Sequence, residues 1–486
     1  MILKVQHNLD RIINHLEPVK EFANIHMVAW LCDNLYEKFV DEKIRNEING
    51  FNDVNSAIQL FFNQDNAPPN LIKKHPNLYK HILHEKTFYL ENLEDKLYLT
   101  ADELMQEFQR INIPKAESLN INVREFMKEK KNHEVEAAAK IIGTMSKSRD
   151  QEKLIVVEYG DGKGYLTTRL SLEYNLKTLG IDGNVNNTLE AEIRNEKLTK
   201  IWKHLVKKGA ERSNVKSPII DETKLNPNNY KTISSLIYAD TNLNKLVENA
   251  FPDQDISELC LIGLHACGNL SSNSLKHFVS NDKIKLLMNV SCCYNLLFEE
   301  FTIDYFNNKE RKIDKENDYG FPLSDFLRKK KYSIGRNARM LATQSMERIV
   351  HQVNRPDESL YHRAIFEKVL RERFRKGKEI HVFTLGKIRR VKNLEDYLRR
   401  ACERLEITYD LTPEELEKLE KEHLYDKELM TFHYFVRLLY ARTIETIIHL
   451  DRYLYLLENN IKHVYLVRIF DSVISPRNLA IVGIKD

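Results

Sequence analysis

Cysteine, glycine, proline and tryptophan are all scarce in this chain, and each shortage removes a class of protein. Six cysteines in 486 residues, two of them adjacent (Cys292 and Cys293), do not make the framework of a small disulfide-stapled domain. Such usage implies a reducing compartment, cytosol or nucleus. Fifteen glycines and twelve prolines exclude collagen-like and low-complexity sequence. Apolar runs of membrane-spanning length are missing as well. The best candidate, near residues 432–457, is interrupted by Arg437, Arg442, Glu445, Asp451 and Arg452, so no membrane association is expected. The first ten residues lack a basic segment followed by an apolar one, and no signal peptide is expected. Internal repeats are absent. What remains is a soluble chain long enough for one large domain with additions, or for two to three domains.

Net charge is only +3, but it is unevenly placed. Residues 301–400 hold 25 lysines and arginines against 14 aspartates and glutamates, and the rest of the chain is mildly acidic. This basic segment, in which Arg336 and Arg339 lie, is a candidate surface for an anionic partner such as RNA. The same excess also suits a solvated helical face.

Residues 1 to about 145 read as helical. Leu31, Leu35, Phe39 and Ile44 follow a helix-like spacing, and residues 104, 105, 108 and 111 are apolar. Pro68, Pro69 and Pro76 suggest a loop, and Pro114 with the Asn-rich stretch to Asn122 suggests a hinge. From about 150 the pattern changes to short apolar runs with the β-branched bias of buried parallel strands: 154–157, 176–181, 234–239, 259–264 and 284–290. Helix-like segments such as 187–204 and 271–280 separate them, which implies βαβ units. A long helix over about 428–458 precedes two last strands, 463–470 and 479–484, joined by a turn at Ser475–Asn478. A doubly wound sheet finished by a helix and an antiparallel hairpin is the usual end of a class I methyltransferase. The expected fold is therefore α/β, a Rossmann-like class I sheet with a helical N-terminal region and a basic insertion before the last two strands. The corresponding boundaries are 1–125 for the helical region, 126–300 for strands one to five, 301–427 for the insertion and 428–486 for the closing helix and hairpin.

The strongest motif is Val156-Val-Glu-Tyr-Gly-Asp-Gly-Lys-Gly164, which follows a strand and opens a helix. Its glycines permit a tight turn and close backbone approach to a cofactor, while the helix N-terminus offers free N–H groups. A dinucleotide fingerprint needs glycines at 160, 162 and 165, yet 165 is Tyr. Glycines at 160, 162 and 164 behind the acidic Glu158 fit S-adenosylmethionine better than NAD. Asp182, at the end of the second strand, suits a ribose diol, and Asp240, read as ending the third, suits the adenine amino group. Each equally suits a helix N-cap. His265 ends strand four in Gly263-Leu-His-Ala-Cys-Gly268, and Tyr294 and Asn295 follow strand five in Ser291-Cys-Cys-Tyr-Asn295. These positions border the place of a methyl acceptor. His265 can act as a base or serve as a hydrogen-bonded structural histidine. Tyr294 and Asn295 can orient the acceptor, and a neutral nitrogen nucleophile needs orientation alone. His265, Cys267, Cys292 and Cys293 are zinc-type ligands, but adjacent cysteines on a strand point to opposite faces and the spacing matches no standard site, so no metal is expected.

Several motifs in order carry a resemblance: Lys130-Lys-x-His-Glu-Val135, Glu158-x-Gly-x-Gly-Lys-Gly-Tyr-Leu166, Gly263–Gly268, Cys292-Cys-Tyr-Asn295, Phe321-Pro-Leu-Ser324, Gly335-Arg-Asn-Ala-Arg-Met-Leu-Ala342 and Ser475-Pro-Arg-Asn478. Over nearly its whole length the chain resembles the methyltransferase-like protein 25 family, which includes a paralogue named for a ribosomal RNA adenine dimethylase domain. The resemblance implies a class I methyltransferase using S-adenosylmethionine, with a helical N-terminal region. Adenine dimethylases grip a flipped base with Asn/Asp-Pro-Pro-aromatic after strand four, where this chain has His265-Ala-Cys-Gly268. Its His-x-Cys-Gly and Cys-Cys pairing is more similar to tRNA 2′-O-methyltransferases of the acceptor stem. The family places Asp at 158 and a small residue at 159. Glu158 retains the acceptor, while nothing in the sequence explains Tyr159. The expected activity is methyl transfer to RNA, with transfer to protein, or an inactive binding module on the same fold, as the alternatives.

Overall fold

A computed structural model describes every residue except 52, 117–126, 217–224, 253, 303–317, 353–357, 375–384 and 486. The Asn-rich stretch read as a hinge, and much of the basic segment, lie outside the described residues. Eight strands form one sheet: β1 (Leu99–Thr100), β2 (Leu154–Tyr159), β3 (Lys177–Asp182), β4 (Tyr230–Ser234), β5 (Glu258–Cys267), β6 (Ile284–Cys292), β7 (His463–Arg468) and β8 (Leu479–Ile484). Their order is β1-β7-β8-β6-β5-β2-β3-β4. All pairings are parallel except those of β8, which runs antiparallel to both β6 and β7. This is the expected Rossmann-like class I sheet, completed by a hairpin from the far end of the chain.

The central strands form because their side chains are apolar on both faces. All six residues of β2 and of β8 are buried, as sheets covered by helices on both sides require. One core gathers Val135, Ala138 and Ile142 of helix Glu129–Ser146 with Leu154, Val156, Ile262, Met288 and Val482 of the sheet. Leu198, Trp202 and Val206 of helix Val185–Arg212 form a second with Leu172. The order of connection reverses between β2 and β5. At such a switch point the crevice above the carboxyl ends is the natural ligand site.

Three local expectations need correction. The third strand is Tyr230–Ser234, not 234–239. β3 offers partners only from Thr178 to Asp182, after which Gly183 leads the chain away into helix Val185–Arg212. Residues 235–238 therefore have no strand to pair with, and Leu236 is exposed. The prolines at 69 and 76 do not mark a loop. They open helices Pro69–Lys74 and Pro76–Lys86 at the first position, where proline's missing N–H has no partner to lose. Leu31 to Ile44 is not one helix either, since Asp41 caps a new one, Glu42–Ile48, by accepting from the Lys43 N–H. The two-residue β1 was not anticipated, being too short to carry a pattern.

The chain divides into two compact units. One comprises Met1–His15, Leu90–Thr343 and Ile444–Asp486 and contains the sheet, and the other comprises Leu16–Tyr89 and Gln344–Thr443. Helix Asp426–Glu458 contributes to both. The second unit is helical among its described residues, with a core of Val28, Ile365, Phe366, Tyr397 and Leu398. There Arg437 is buried and donates to the carbonyls of Phe22, Ala23 and Ile25.

Candidate active site

At the carboxyl end of β2 the chain enters helix Tyr165–Tyr174 through Gly160, Gly162 and Gly164, with φ of 75°, 61° and 64°. Three left-handed residues within five are costly for side chains bearing a Cβ, so this turn selects glycine. The positions differ in surroundings. A Cβ on Gly164 would lie 2.9 Å from the Tyr230 hydroxyl and 3.1 Å from Ala191 Cβ, so packing alone requires glycine there. A Cβ on Gly162 would meet nothing nearer than the Gly160 carbonyl at 4.0 Å. That open space is the cradle a cofactor would occupy.

Two buried carboxyls underlie the loop. Asp161 accepts from Thr167 Oγ1 at 2.5 Å and from the Tyr230 hydroxyl at 2.8 Å, and its side chain fills the space above Gly180, where a Cβ would come within 2.0 Å. Glu158 lies beside it. Burial first, then the Asp161 charge and their shared hydrogen bond, push the Glu158 carboxyl well above the usual range. Burial raises Asp161 too. Two such groups in a dry site retain a proton, and Glu158 is the one placed to carry it. Glu158 Oε2 is buried without a protein hydrogen-bond partner. An orphaned polar atom beneath an open glycine cradle fits a polar ligand above β2.

Asp182 closes β3 as expected. Its Oδ2 accepts from the Gly162 N–H at 3.0 Å, and its Oδ1 accepts from the Asn184 N–H at 2.8 Å and Asn187 Nδ2 at 3.0 Å. The carboxylate thus pins the glycine loop and the start of helix Val185–Arg212 together. Asp240 does not end a strand. It lies six residues beyond β4, exposed, in a turn bordering a depression lined by Thr241, Asn242, His277 and Asn281. Of the two aspartates read as strand ends, only Asp182 is one.

Tyr159, unexplained in the sequence, is accounted for here. Its hydroxyl lies 2.6 Å from His277 Nδ1, and His277 Nε2 lies 3.0 Å from the Ala239 carbonyl. Burial lowers the His277 pKa, so a neutral ring donates through Nε2 and accepts the Tyr159 O–H at Nδ1. This chain of bonds ties the end of β2 to the loop that carries Asp240.

His265 stands at φ 70° near the end of β5, with Nε2 3.0 Å from Glu134 Oε2. Glu134 is fully buried. It also accepts from Ser475 Oγ at 2.6 Å and lies 3.1 Å from Lys131 Nζ. Burial pushes its carboxyl up, but the hydrogen bond and charge of His265, with Lys131 and Ser475, outweigh this and hold it far below the usual range. Three separated motifs, at 130–135, 263–268 and 475–478, thus meet at one carboxylate. Tyr294 is buried, its hydroxyl donating to Glu445 Oε1 at 2.8 Å and lying 3.0 Å from His449 Nε2. Those contacts commit the hydroxyl to helix Asp426–Glu458. Asn295 is half-buried in the single turn Tyr294–Leu296.

Arg339, read as part of a basic surface, is buried. Its guanidinium donates to the Tyr294 and Leu297 carbonyls at 2.8 and 2.5 Å and pairs with Glu299 at 3.2 Å. It holds the segment after β6 in place, while Arg336 is exposed. The divergence expected of Cys292 and Cys293 also fails. Cys293 has left the strand at φ 49°, and the Sγ atoms of Cys267, Cys292 and Cys293 converge.

Comparison with known proteins agrees with this geometry. A family model described as a methyltransferase domain matches residues 130–300, the span from Lys130 to the end of the β6 segment. Proteins named probable methyltransferase-like protein 25 align with the chain. The Homo sapiens protein is 29% identical over 470 residues, covering 74% of this chain and 75% of its own, and the Mus musculus protein is 28% identical over 473 residues, covering 75% and 76%. The chain thus carries a methyltransferase domain and is similar over about three quarters of its length to proteins of that name. No solved structure matches it. With that domain the chain is a methyltransferase. The glycine loop, Glu158, Asp182 and His265 are the candidates to which the sequence pointed. Glu134, Asp161, Tyr230 and His277 were missed as site residues. Glu134 and Asp161 had left a signal, each inside a quoted motif, but neither was given a role of its own.

Proposed function

We infer that this protein transfers the methyl group of S-adenosylmethionine to RNA. The observation that carries the cofactor reading is the glycine loop. A left-handed glycine turn into a helix N-terminus, open space over Gly162 and the partnerless Oε2 of Glu158 together offer one ligand close approach to the backbone and a buried polar atom. Glu158, Gly160, Gly162 and Gly164 would hold the amino-acid portion, and Asp182 the ribose hydroxyls. A carboxylate has about four acceptor sites, so the three donors already on Asp182 leave room for about one hydroxyl, and accepting both would require one of these bonds to yield. Asp240 is proposed for the adenine. The cofactor supplies an electrophilic methyl group. His265, whose Nε2 lies 3.0 Å from the Glu134 carboxylate near the end of β5, is proposed to border the methyl acceptor. Asn295 would orient the acceptor. The RNA reading is supported by the basic excess of residues 301–400.

Calorimetric titration with S-adenosylhomocysteine, beside Gly162→Leu and Asp182→Ala, tests the pocket. Binding by the wild type that both variants lose is expected. A labelled-methyl screen of RNA and protein fractions then tests the acceptor. Label in protein alone would replace RNA with a protein acceptor, and no binding at millimolar ligand would leave an inactive module.

A further inference from the structure

The six cysteines are not scattered at random. Cys260 is sealed inside β5, and Cys32 and Cys402 belong to the other unit. The remaining three meet at the carboxyl ends of β5 and β6. Cys267 Sγ lies 3.1 Å from Cys292 Sγ and 3.3 Å from Cys293 Sγ, and the latter two are 3.6 Å apart. Two departures from ordinary backbone bring them together. His265 at φ 70° shifts the β5–β6 register between Leu264 and Ala266, which aligns Cys267 with Cys292. Cys293 at φ 49° turns back to the side of Cys292. Left-handed conformations in residues other than glycine are uncommon, and here two of them serve the same convergence.

We propose that Cys267, Cys292 and Cys293 bind a zinc ion through three thiolates, with a fourth position open at the mouth of the crevice. The three sulfurs form a triangle with a circumscribed radius of about 1.9 Å. An ion about 1.2 Å out of that plane reaches every sulfur at the roughly 2.3 Å of a zinc–thiolate bond. The ion's other side then faces away from the sulfurs, as in three-ligand zinc sites that keep a position for an exchangeable group. Burial is graded to match: Cys292 is buried, Cys293 half-buried and Cys267 exposed, so the ion has an entry path. In the metal-free chain the Cys267 and Cys292 thiols donate to the His265 carbonyl at 3.3 Å. Binding releases three thiol protons to solvent and oxidises nothing. The resulting complex, three thiolates on a divalent ion, carries one negative charge. The open position coincides with the region read as that of the methyl acceptor, where zinc would lower the proton affinity of an acceptor atom bound to it. The site itself stands independently of the cofactor reading.

The test is metal analysis of the untagged full-length chain by inductively coupled plasma mass spectrometry, followed by cobalt exchange. One equivalent of zinc is expected, and cobalt should give thiolate charge-transfer absorption in the near ultraviolet with tetrahedral bands in the visible. Cys267→Ser, Cys292→Ser and Cys293→Ser should each lose the equivalent, and Cys32→Ser should keep it. If circular dichroism shows that a serine variant fails to fold, the wild-type cobalt spectrum decides alone. Reduced protein with neither zinc nor a cobalt–thiolate band would overturn the proposal. So would copper in place of zinc, or a disulfide joining Cys267 to Cys292 or Cys293 in chain kept under reducing conditions.

Discussion

Gly162 and Gly164 have nearly the same left-handed backbone, yet the structure assigns them different work. A Cβ in this conformation costs about 1–2 kcal/mol, and both Gly162→Ala and Gly164→Ala incur that cost. Only at 164 is there a collision, with the Tyr230 hydroxyl at 2.9 Å and Ala191 Cβ at 3.1 Å, and the Tyr230 hydroxyl is itself held by Asp161. Overpacking of this kind costs about 1–3 kcal/mol more. Gly162→Ala should therefore lose about 1–2 kcal/mol and Gly164→Ala about 2–5 kcal/mol, read as shifts of the denaturant midpoint for the sheet-containing unit. Binding should separate the positions in the opposite sense. A leucine at 162 projects into open space and takes the ligand's volume, so S-adenosylhomocysteine affinity should fall by at least roughly 5- to 150-fold, the equivalent of about 1–3 kcal/mol. Equal destabilisation of the two alanine variants would refute the packing argument. An unchanged Kd for Gly162→Leu would refute the placement of the pocket.

Other expectations follow from the same contacts. Tyr159→Phe leaves His277 Nδ1 buried without a donor and should cost about 1–3 kcal/mol, measurable by urea titration. Because burial and the Asp161 charge favour the neutral Glu158 carboxyl, Glu158→Gln should stay within about 1 kcal/mol of wild type in the same titration, whereas Glu158→Ala should cost more by opening a cavity. Glu134 is depressed below its ordinary 4.5, so its stabilisation is complete above about pH 4.5 and fades as pH falls toward its folded value. The midpoint gap between wild type and Glu134→Gln should accordingly close on acidification, and a gap that widened would reverse the assignment. RNA binding, if carried by the basic segment, should weaken steeply with salt in filter-binding assays and weaken further when Lys and Arg within 309–331 and 371–392 are replaced.

The sequence by itself determined the elements whose signals are local. The apolar run at 154–157, and the one at 284–290 interrupted only by Lys285 and Asn289, read as buried strands because both faces of each are covered. Glycine spacing at 160, 162 and 164 announced a left-handed turn because few other residues adopt it. The proline-led helices at 69 and 76 and the short β4 escaped because their boundaries depend on partners. β4 ends where β3 ceases to offer a register, and no window of ten residues contains that information. Tertiary structure alone decided which charges meet. Glu134 reaches His265 across 131 positions and Ser475 across 341, and Tyr294 turns its hydroxyl toward Glu445, 151 residues away. It also decided that Arg339 is buried under the segment after β6, and that two neighbouring cysteines share a side because one has left the strand. Periodicity records which face of an element is apolar, whereas the pairing of buried polar groups depends on how separate elements are brought together, which only the folded chain specifies.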